Sequence, residues 1–280
     1  MSPSIQLYRD RFPGRSVLDT AVSHALLRRV GSGRTGESLR LYRPDNALLF
    51  SSLDARRDGY DAALEIARAA GFEPVIRLAG GHAAVFLESA LAFAWATPDP
   101  DANLHIRHRF EKLTGWFAEA LRGLGLDARV GEVPGEYCPG EYSINLGGQI
   151  KILGVGQRVI RGAAHVGGVL TIGQTETLRE ILIPIYDALD LEFTPQTAGG
   201  LVDIDPSLSA EDVVASLTEV LESEGYALSA GHFDSELEAE AEVLAKHHDA
   251  GMKTRSRSGG ARLLQASQGK ALIQTDTDSV

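Results

Sequence analysis

Residues 135–159 read GEYCPGEYSINLGGQIKILGVGQRV. Tyr142, Ile144 and Leu146 alternate with polar residues, and Ile150 and Ile152 do so again after the pair Gly147 and Gly148. That period of two predicts two half-buried strands, and adjacent glycines supply the positive φ angles of a tight hairpin turn. Working outward, further strands are expected at 166–172, at 39–43 and 47–51 around Pro44-Asp45-Asn46, on either side of Gly80-Gly81, and at 91–96. Helical spacing marks 16–31 with Ser16 as N-cap, 60–70 ending at Gly71, and 103–126 with Ile106, Phe110, Leu113, Phe117 and Leu121 on one face. A further helix is expected around 175–190. Strands and helices interleave without strict βαβ repetition, so the expected fold is α+β, a mixed or antiparallel sheet flanked by helices. Residues 1–199 form the expected main domain and 200–250 a small helical appendage packed on it, its first helix capped at Ser209. Residues 251–280 read as a polar, flexible tail.

The formal net charge of −11 is unevenly placed. Residues 1–175 carry 20 Lys and Arg against 18 Asp and Glu, and residues 176–280 carry 7 against 20. No concentrated basic stripe exists, which argues against a nucleic-acid partner; the acidic last third reads as a solvated helical surface that includes His247 and His248. The single cysteine excludes an internal disulfide and a thiolate metal site, and no histidine pair has ligand spacing, so no metal is expected. The N-terminus has scattered charges, and no uncharged apolar run reaches about 18 residues, so a cytoplasmic protein with no membrane association is expected.

Cys138 lies between Pro134-Gly135 and Pro139-Gly140, a loop context that suits an exposed nucleophile and equally a small inert hydrophobe. A thiol at its ordinary pKa of about 8.5 is only slightly ionised at neutral pH and needs a partner. Lys151, 13 residues on and flanked by apolar neighbours, offers a cation that could favour the thiolate and hold a developing oxyanion, unless it is a surface lysine at a strand start. In RLAGGHAAVF, residues 77–86, the two glycines either let backbone N–H groups approach a ligand or make an ordinary turn, with Arg77 a fixed charge beside them. His165 reads as a satisfied structural histidine.

IRLAGGHAAVF at 76–86 and GQIKILGVGQR at 148–158 resemble two ordered motifs of the lipoate-protein ligase, octanoyltransferase and biotin-protein ligase superfamily. The helix at 16–30 and the strand at 39–44 sit where that superfamily has its first helix and strand, and the resemblance spans about residues 16–190. GEYCPGEYSIN is similar to the GEHCPGxY stretch of the branch that moves octanoyl groups from the glycine cleavage H protein to other lipoyl domains. The resemblance implies a biotin/lipoate ligase catalytic-domain fold with an acyl tunnel between the GG turn and the lysine strand. It implies Cys138 as nucleophile and Lys151 at the acyl carbonyl, with Arg77, Gly80, Gly81, His82, Gly154 and Gln157 binding substrate. The implied activity transfers octanoyl or lipoyl groups to a lysine through a thioester on Cys138, without a cofactor. Its implied partners are lipoyl-domain proteins, namely the glycine cleavage H protein and 2-oxoacid dehydrogenase acyltransferase subunits, and acyl carrier protein. Two alternatives are an ATP- and Mg-dependent lipoate ligase and a non-catalytic lipoyl-domain or acyl-carrier binding protein. A basic docking face is expected around Arg28, Arg29, Arg40, Arg43 and Arg77.

Overall fold

A computed structural model describes residues 3–251; the expected tail at 252–280 lies outside them. The chain runs β1 (Ser4–Tyr8), α1 (Ser16–Gly31), β2 (Ser38–Tyr42), β3 (Ala47–Phe50), α2 (Tyr60–Ala69), β4 (Glu73–Ile76), β5 (Ala84–Phe86), β6 (Leu91–Pro98) and α3 (Ile106–Gly123). It continues through β7 (Ala128–Val130), β8 (Ile144–Leu146), β9 (Ile150–Ile160), β10 (Ala163–Leu170), α4 (Thr175–Ala188), α5 (Ala210–Ser223), β11 (Ala227–Gly231) and α6 (Ser235–Ala245). An eight-stranded sheet has the order β11-β1-β2-β6-β10-β9-β8-β7, and a three-stranded sheet the order β4-β3-β5. Pairing is parallel from β11 to β2 and antiparallel from β2 to β7, so the sheet is mixed, as expected.

Alternation along β6 explains the layering. Leu91, Phe93 and Trp95 enter a core with Trp116, Phe117 and Leu121 of α3 and Leu217 and Leu221 of α5. The intervening Ala92, Ala94 and Ala96 give the other face small side chains, and α1 packs there. The smaller sheet, α2 and α4 form a second core around Phe50, Tyr60, Ile76 and Tyr186. Gly168 of β10 allows a close approach, because a Cβ there would lie 1.9 Å from the Gly154 carbonyl oxygen.

Several expectations change with tertiary pairing. β4 and β5 do not form a hairpin across Gly80-Gly81; both pair with β3, so the GG loop arches over that strand and is free to face β9. Residues 200–250 hold the two expected helices, Ser209 caps α5 through a capping box, and β11 lies between the helices and extends the main sheet beside β1. This edge strand, ALSAG, is mostly exposed and shows no period-two apolar pattern, so its sequence carries no strand signal. The N-cap of α1 is Arg15, with Ser16 the first helical residue. His247 is exposed, but His248 is buried, with Nδ1 bonded to the Ile76 carbonyl oxygen at 2.8 Å and Nε2 3.1 Å from His24 Nδ1.

The basic face does not form. Arg40 is fully buried against Asp19, and Arg29 is held by Asp234 and Glu240 of the α6 region. An arginine inside a packed core is retained only when its donors are matched, and Arg40 has carbonyl oxygens of Asp10 and Asp19 as well as the carboxylate. No helix among the described residues is long and apolar enough to cross a membrane.

Candidate active site

The β8–β9 hairpin turns at Gly147 and Gly148, with φ of 60° and 76°, as the sequence predicts. It places Lys151 beneath the loop that carries Cys138. Lys151 is 1% exposed, and Nζ donates to Glu136 Oε1 at 2.8 Å, the Tyr137 carbonyl oxygen at 2.9 Å and the Cys138 carbonyl oxygen at 2.8 Å. An ammonium has three protons. All three are matched here within the loop that carries Cys138, one of them by the cysteine's own carbonyl oxygen. Gly154 makes room for this arrangement, since a Cβ there would sit 3.4 Å from Lys151 Cε.

Glu136 completes the loop. Its carboxylate accepts from Val133 N at 2.9 Å, Gly140 N at 3.2 Å and Ser143 Oγ at 2.5 Å besides Lys151. Cys138 has φ of 43°, a left-handed conformation that costs a non-glycine residue energy and persists only where its surroundings over-determine it. Here both ends of the residue are held: its N–H donates to the Tyr186 hydroxyl at 2.8 Å, and its carbonyl oxygen accepts a hydrogen bond from Lys151 Nζ at 2.8 Å. Tyr186 in turn donates to the Ala83 carbonyl oxygen at 3.0 Å, and burial pushes its phenol well above the ordinary value.

The half-buried thiol faces the GG loop. His82 N–H donates to Cys138 Sγ at 3.1 Å, and Arg77 Nη1 lies 3.8 Å from Sγ while donating to the His82 carbonyl oxygen at 2.9 Å. Gly81, with φ of 102°, could not be replaced without crowding, because a Cβ there would lie 2.8 Å from Sγ. Arg77 has no carboxylate partner among the described residues, whereas Lys151 is offset by Glu136. The cation that faces the sulfur without a counter-ion is therefore Arg77.

A groove of about 430 Å³ opens at the thiol, within the usual range of small-molecule sites. Gly80 and Gly81 and the β9 residues Val155, Gly156 and Val159 line it, together with Phe110 and Tyr142, whose rings stack at 5.0 Å. Gln157 lines this groove, but Oε1 accepts from Arg109 Nε at 2.7 Å and Nε2 donates to the Ile106 carbonyl oxygen at 3.1 Å, which ties the strand to α3. The predicted residues Arg77, Gly80, Gly81, His82 and Cys138 thus converge, while Lys151, Gly154 and Gln157 support them from below. His165 is buried as expected, and burial lowers its pKa to about 3; its Nδ1 has no hydrogen-bond partner among the described residues, so it is not satisfied. Asp54, Glu136 and Tyr186 escaped sequence reasoning. Tyr186 sits in the apolar stripe of α4, where an aromatic residue reads as core, and Asp54 lies in a polar connection without periodicity.

Residues 18–221 match the lipoyl protein ligase A/B catalytic domain family. The chain is 28% identical over 201 residues to an octanoyl-[GcvH]:protein N-octanoyltransferase of Geobacillus kaustophilus, covering 72% of this chain and 69% of that one. A protein of the same name from an Exiguobacterium species is 28% identical over 197 residues, covering 66% and 70%. Among solved structures, a lipoate-protein ligase A bound with ATP superposes with a TM-score of 0.68 at 21% identity, covering 88% of this chain and 95% of that one. The bipartite lipoate protein ligase of Thermoplasma acidophilum superposes with a TM-score of 0.68 at 19% identity, covering 87% and 92%. These structures share the fold.

Proposed function

The chain belongs to the lipoyl protein ligase A/B catalytic domain family, and from that premise we propose that it is a cysteine-dependent acyltransferase moving an octanoyl or lipoyl group onto a lysine of a lipoyl domain. The observation that carries the proposal is Cys138 Sγ at the mouth of an apolar groove, met by the His82 N–H and the Arg77 guanidinium. These donors suit a thiolate. When the sulfur attacks the acyl carbonyl, negative charge moves to the carbonyl oxygen beside the same donors, a preorganised arrangement worth most in a water-poor site. An S–C bond forms, the donor lysine leaves as its amine, and a second lysine amine then attacks the thioester.

Lys151 acts through the loop that presents Cys138. Glycine cleavage H protein is the proposed donor, 2-oxoacid dehydrogenase acyltransferase subunits are the proposed acceptors, and acyl carrier protein is a second proposed donor. No nucleotide is required in this scheme, and a cytoplasmic setting goes with it. Incubation with octanoylated H protein should give one octanoyl adduct by intact mass, removed by hydroxylamine and absent from Cys138→Ala. Transfer that requires ATP, releases pyrophosphate and survives Cys138→Ala would establish a ligase instead.

A further inference from the structure

The transfer just proposed exchanges one lysine for another, and the two differ in charge. The donor lysine enters the site acylated, as a neutral amide. The acceptor lysine arrives as an ammonium, since a free lysine side chain titrates at about pH 10.4. A site that serves both takes up a cation in one half of the cycle only.

Among the described residues that line the groove at Cys138, Glu141 is the only Asp, Glu, Lys or Arg. It follows Cys138 directly through Pro139 and Gly140 on the same loop. The two acids of that loop are placed in opposite ways. Glu136 is buried, and its oxygens accept from Val133, Gly140 and Ser143. The Glu141 side chain is 72% exposed, and the cation beside it, Arg107 Nη2, stands off at 3.8 Å. Arg107 is itself 75% exposed, and its Nε is taken by Glu111 at 2.8 Å. A long pair between two exposed side chains contributes little and gives way readily to another cation. The Glu141 carboxylate is thus open to solvent and to the groove together. Elsewhere the site opposes an ammonium, because Arg77 Nη1 lies 3.8 Å from Sγ and has no carboxylate partner among the described residues. An acceptor lysine therefore meets like charge where it must react, and Glu141 supplies opposite charge on the solvent-facing side of the groove. The four methylenes of a lysine suit the remaining lining, in which Ile106, Phe110, Tyr142, Val155 and Val159 are apolar or aromatic.

We propose that Glu141 recognises the acceptor lysine. Its carboxylate receives the ε-ammonium at the groove and gives the acylated enzyme a preference for an unmodified lysine over one that already carries an acyl group. The role lies in binding, ahead of the chemistry, and it rests on the acyl-enzyme reading of Cys138.

Wild type, Glu141→Gln and Glu141→Lys are compared in the two half-reactions, each followed by intact mass. Loading of Cys138 from octanoylated H protein presents a neutral lysine, and its KM should be unchanged in Glu141→Gln. Transfer from the isolated acyl-enzyme to an unmodified lipoyl domain presents an ammonium. Its half-saturating concentration should rise about fivefold in Glu141→Gln, the upper end for an exposed ion pair, and further in Glu141→Lys. The maximal rate should stay unchanged in Glu141→Gln, which separates binding from chemistry. Salt at about 0.5 M should bring wild type to the level of Glu141→Gln, because the pair is screened. Hydroxylamine, uncharged at neutral pH, should strip the octanoyl group from all three proteins at equal rates. Equal half-saturation by the lipoyl domain in wild type and Glu141→Gln would overturn the role. A parallel rise in both half-reactions would also overturn it, since Glu141 would then meet the body of the domain and not its lysine. Wild type that forms no adduct with octanoylated H protein or with 4-nitrophenyl octanoate would overturn the acyl-enzyme reading itself.

Discussion

Lys151→Met removes the ammonium while keeping most of the side-chain volume, and it separates a loop strut from a substrate contact. Three acceptors lose their donor: the Glu136 carboxylate and the carbonyl oxygens of Tyr137 and Cys138. Lys151 and Glu136 are 1% and 2% exposed, so water does not replace the lost bonds. Removing one member of a buried ion pair costs about 3–5 kcal/mol, because it strands the other charge. Two orphaned carbonyls add to this, although Glu136 keeps its bonds from Val133, Gly140 and Ser143. Set against a typical total stability of about 5–15 kcal/mol, the variant should be folded with a much lower urea midpoint. Alkylation of Cys138 by iodoacetamide should fall in parallel, since the loop that holds the left-handed Cys138 has lost its lower anchor. In a double-mutant cycle, Glu136→Gln should recover part of the Lys151→Met loss, with a coupling of about 1–3 kcal/mol. A variant with wild-type stability and wild-type thiol reactivity that fails only in acyl transfer would refute the strut and return Lys151 to the substrate carbonyl.

Gly81→Ala should abolish loading of Cys138, because the new Cβ would lie 2.8 Å from Sγ and 3.0 Å from Arg77 Nη1; intact mass after incubation with an octanoyl donor reads this directly, and normal loading would count against the tight fit. Tyr186→Phe leaves the Cys138 N–H and the Ala83 carbonyl oxygen without their partner and should cost about 1–3 kcal/mol in urea unfolding, with slower thiol alkylation. The His165 imidazole, lowered from 6.5 to about 3 by burial, binds fewer protons folded than unfolded across that window, so its contribution to stability falls as pH drops below 6.5. The slope is at most about 1.4 kcal/mol per pH unit, and about 2 kcal/mol between pH 6.5 and 5; His165→Leu should flatten this fall in paired urea titrations, and parallel curves for the two proteins would contradict it.

How much of this was legible in the sequence follows from which interactions are local. The β8–β9 hairpin was readable because alternation and a Gly-Gly turn are properties of neighbouring residues, and α3 because its apolar stripe repeats along one face. β11 was not readable, because an exposed edge strand takes its identity from β1, more than 200 residues away. The GG loop shows the same limit: sequence spacing suggests a hairpin, whereas β3 inserts between its flanking strands and turns the loop toward β9. Asp54 meets the His82 ring, and Tyr186 meets the Cys138 N–H, only through that arrangement, so no spacing announces them.

The pairing of Cys138 with Lys151 is instructive because sequence spacing signals their proximity while tertiary packing decides which acceptors the ammonium meets. Lys151 is 1% exposed, and a buried ammonium must find acceptors within reach. The nearest ones belong to the loop that returns to β8, and Glu136 sits there with its charge. Once Lys151 and Glu136 neutralise each other, the net positive charge at the sulfur has to come from another element, and the GG loop brings Arg77. The division of labour follows from electrostatics: the paired cation holds a strained backbone, and the unpaired one faces the sulfur. Exchanging the charges tests that logic. Arg77→Lys should keep the fold, because the residue is only half-buried, yet lose the Nη1 group that bonds the His82 carbonyl oxygen while approaching Sγ. Thiol alkylation should slow with little change in urea midpoint, the opposite pattern to Lys151→Met, and equal effects on both measurements in both variants would show that the two cations are not divided in this way.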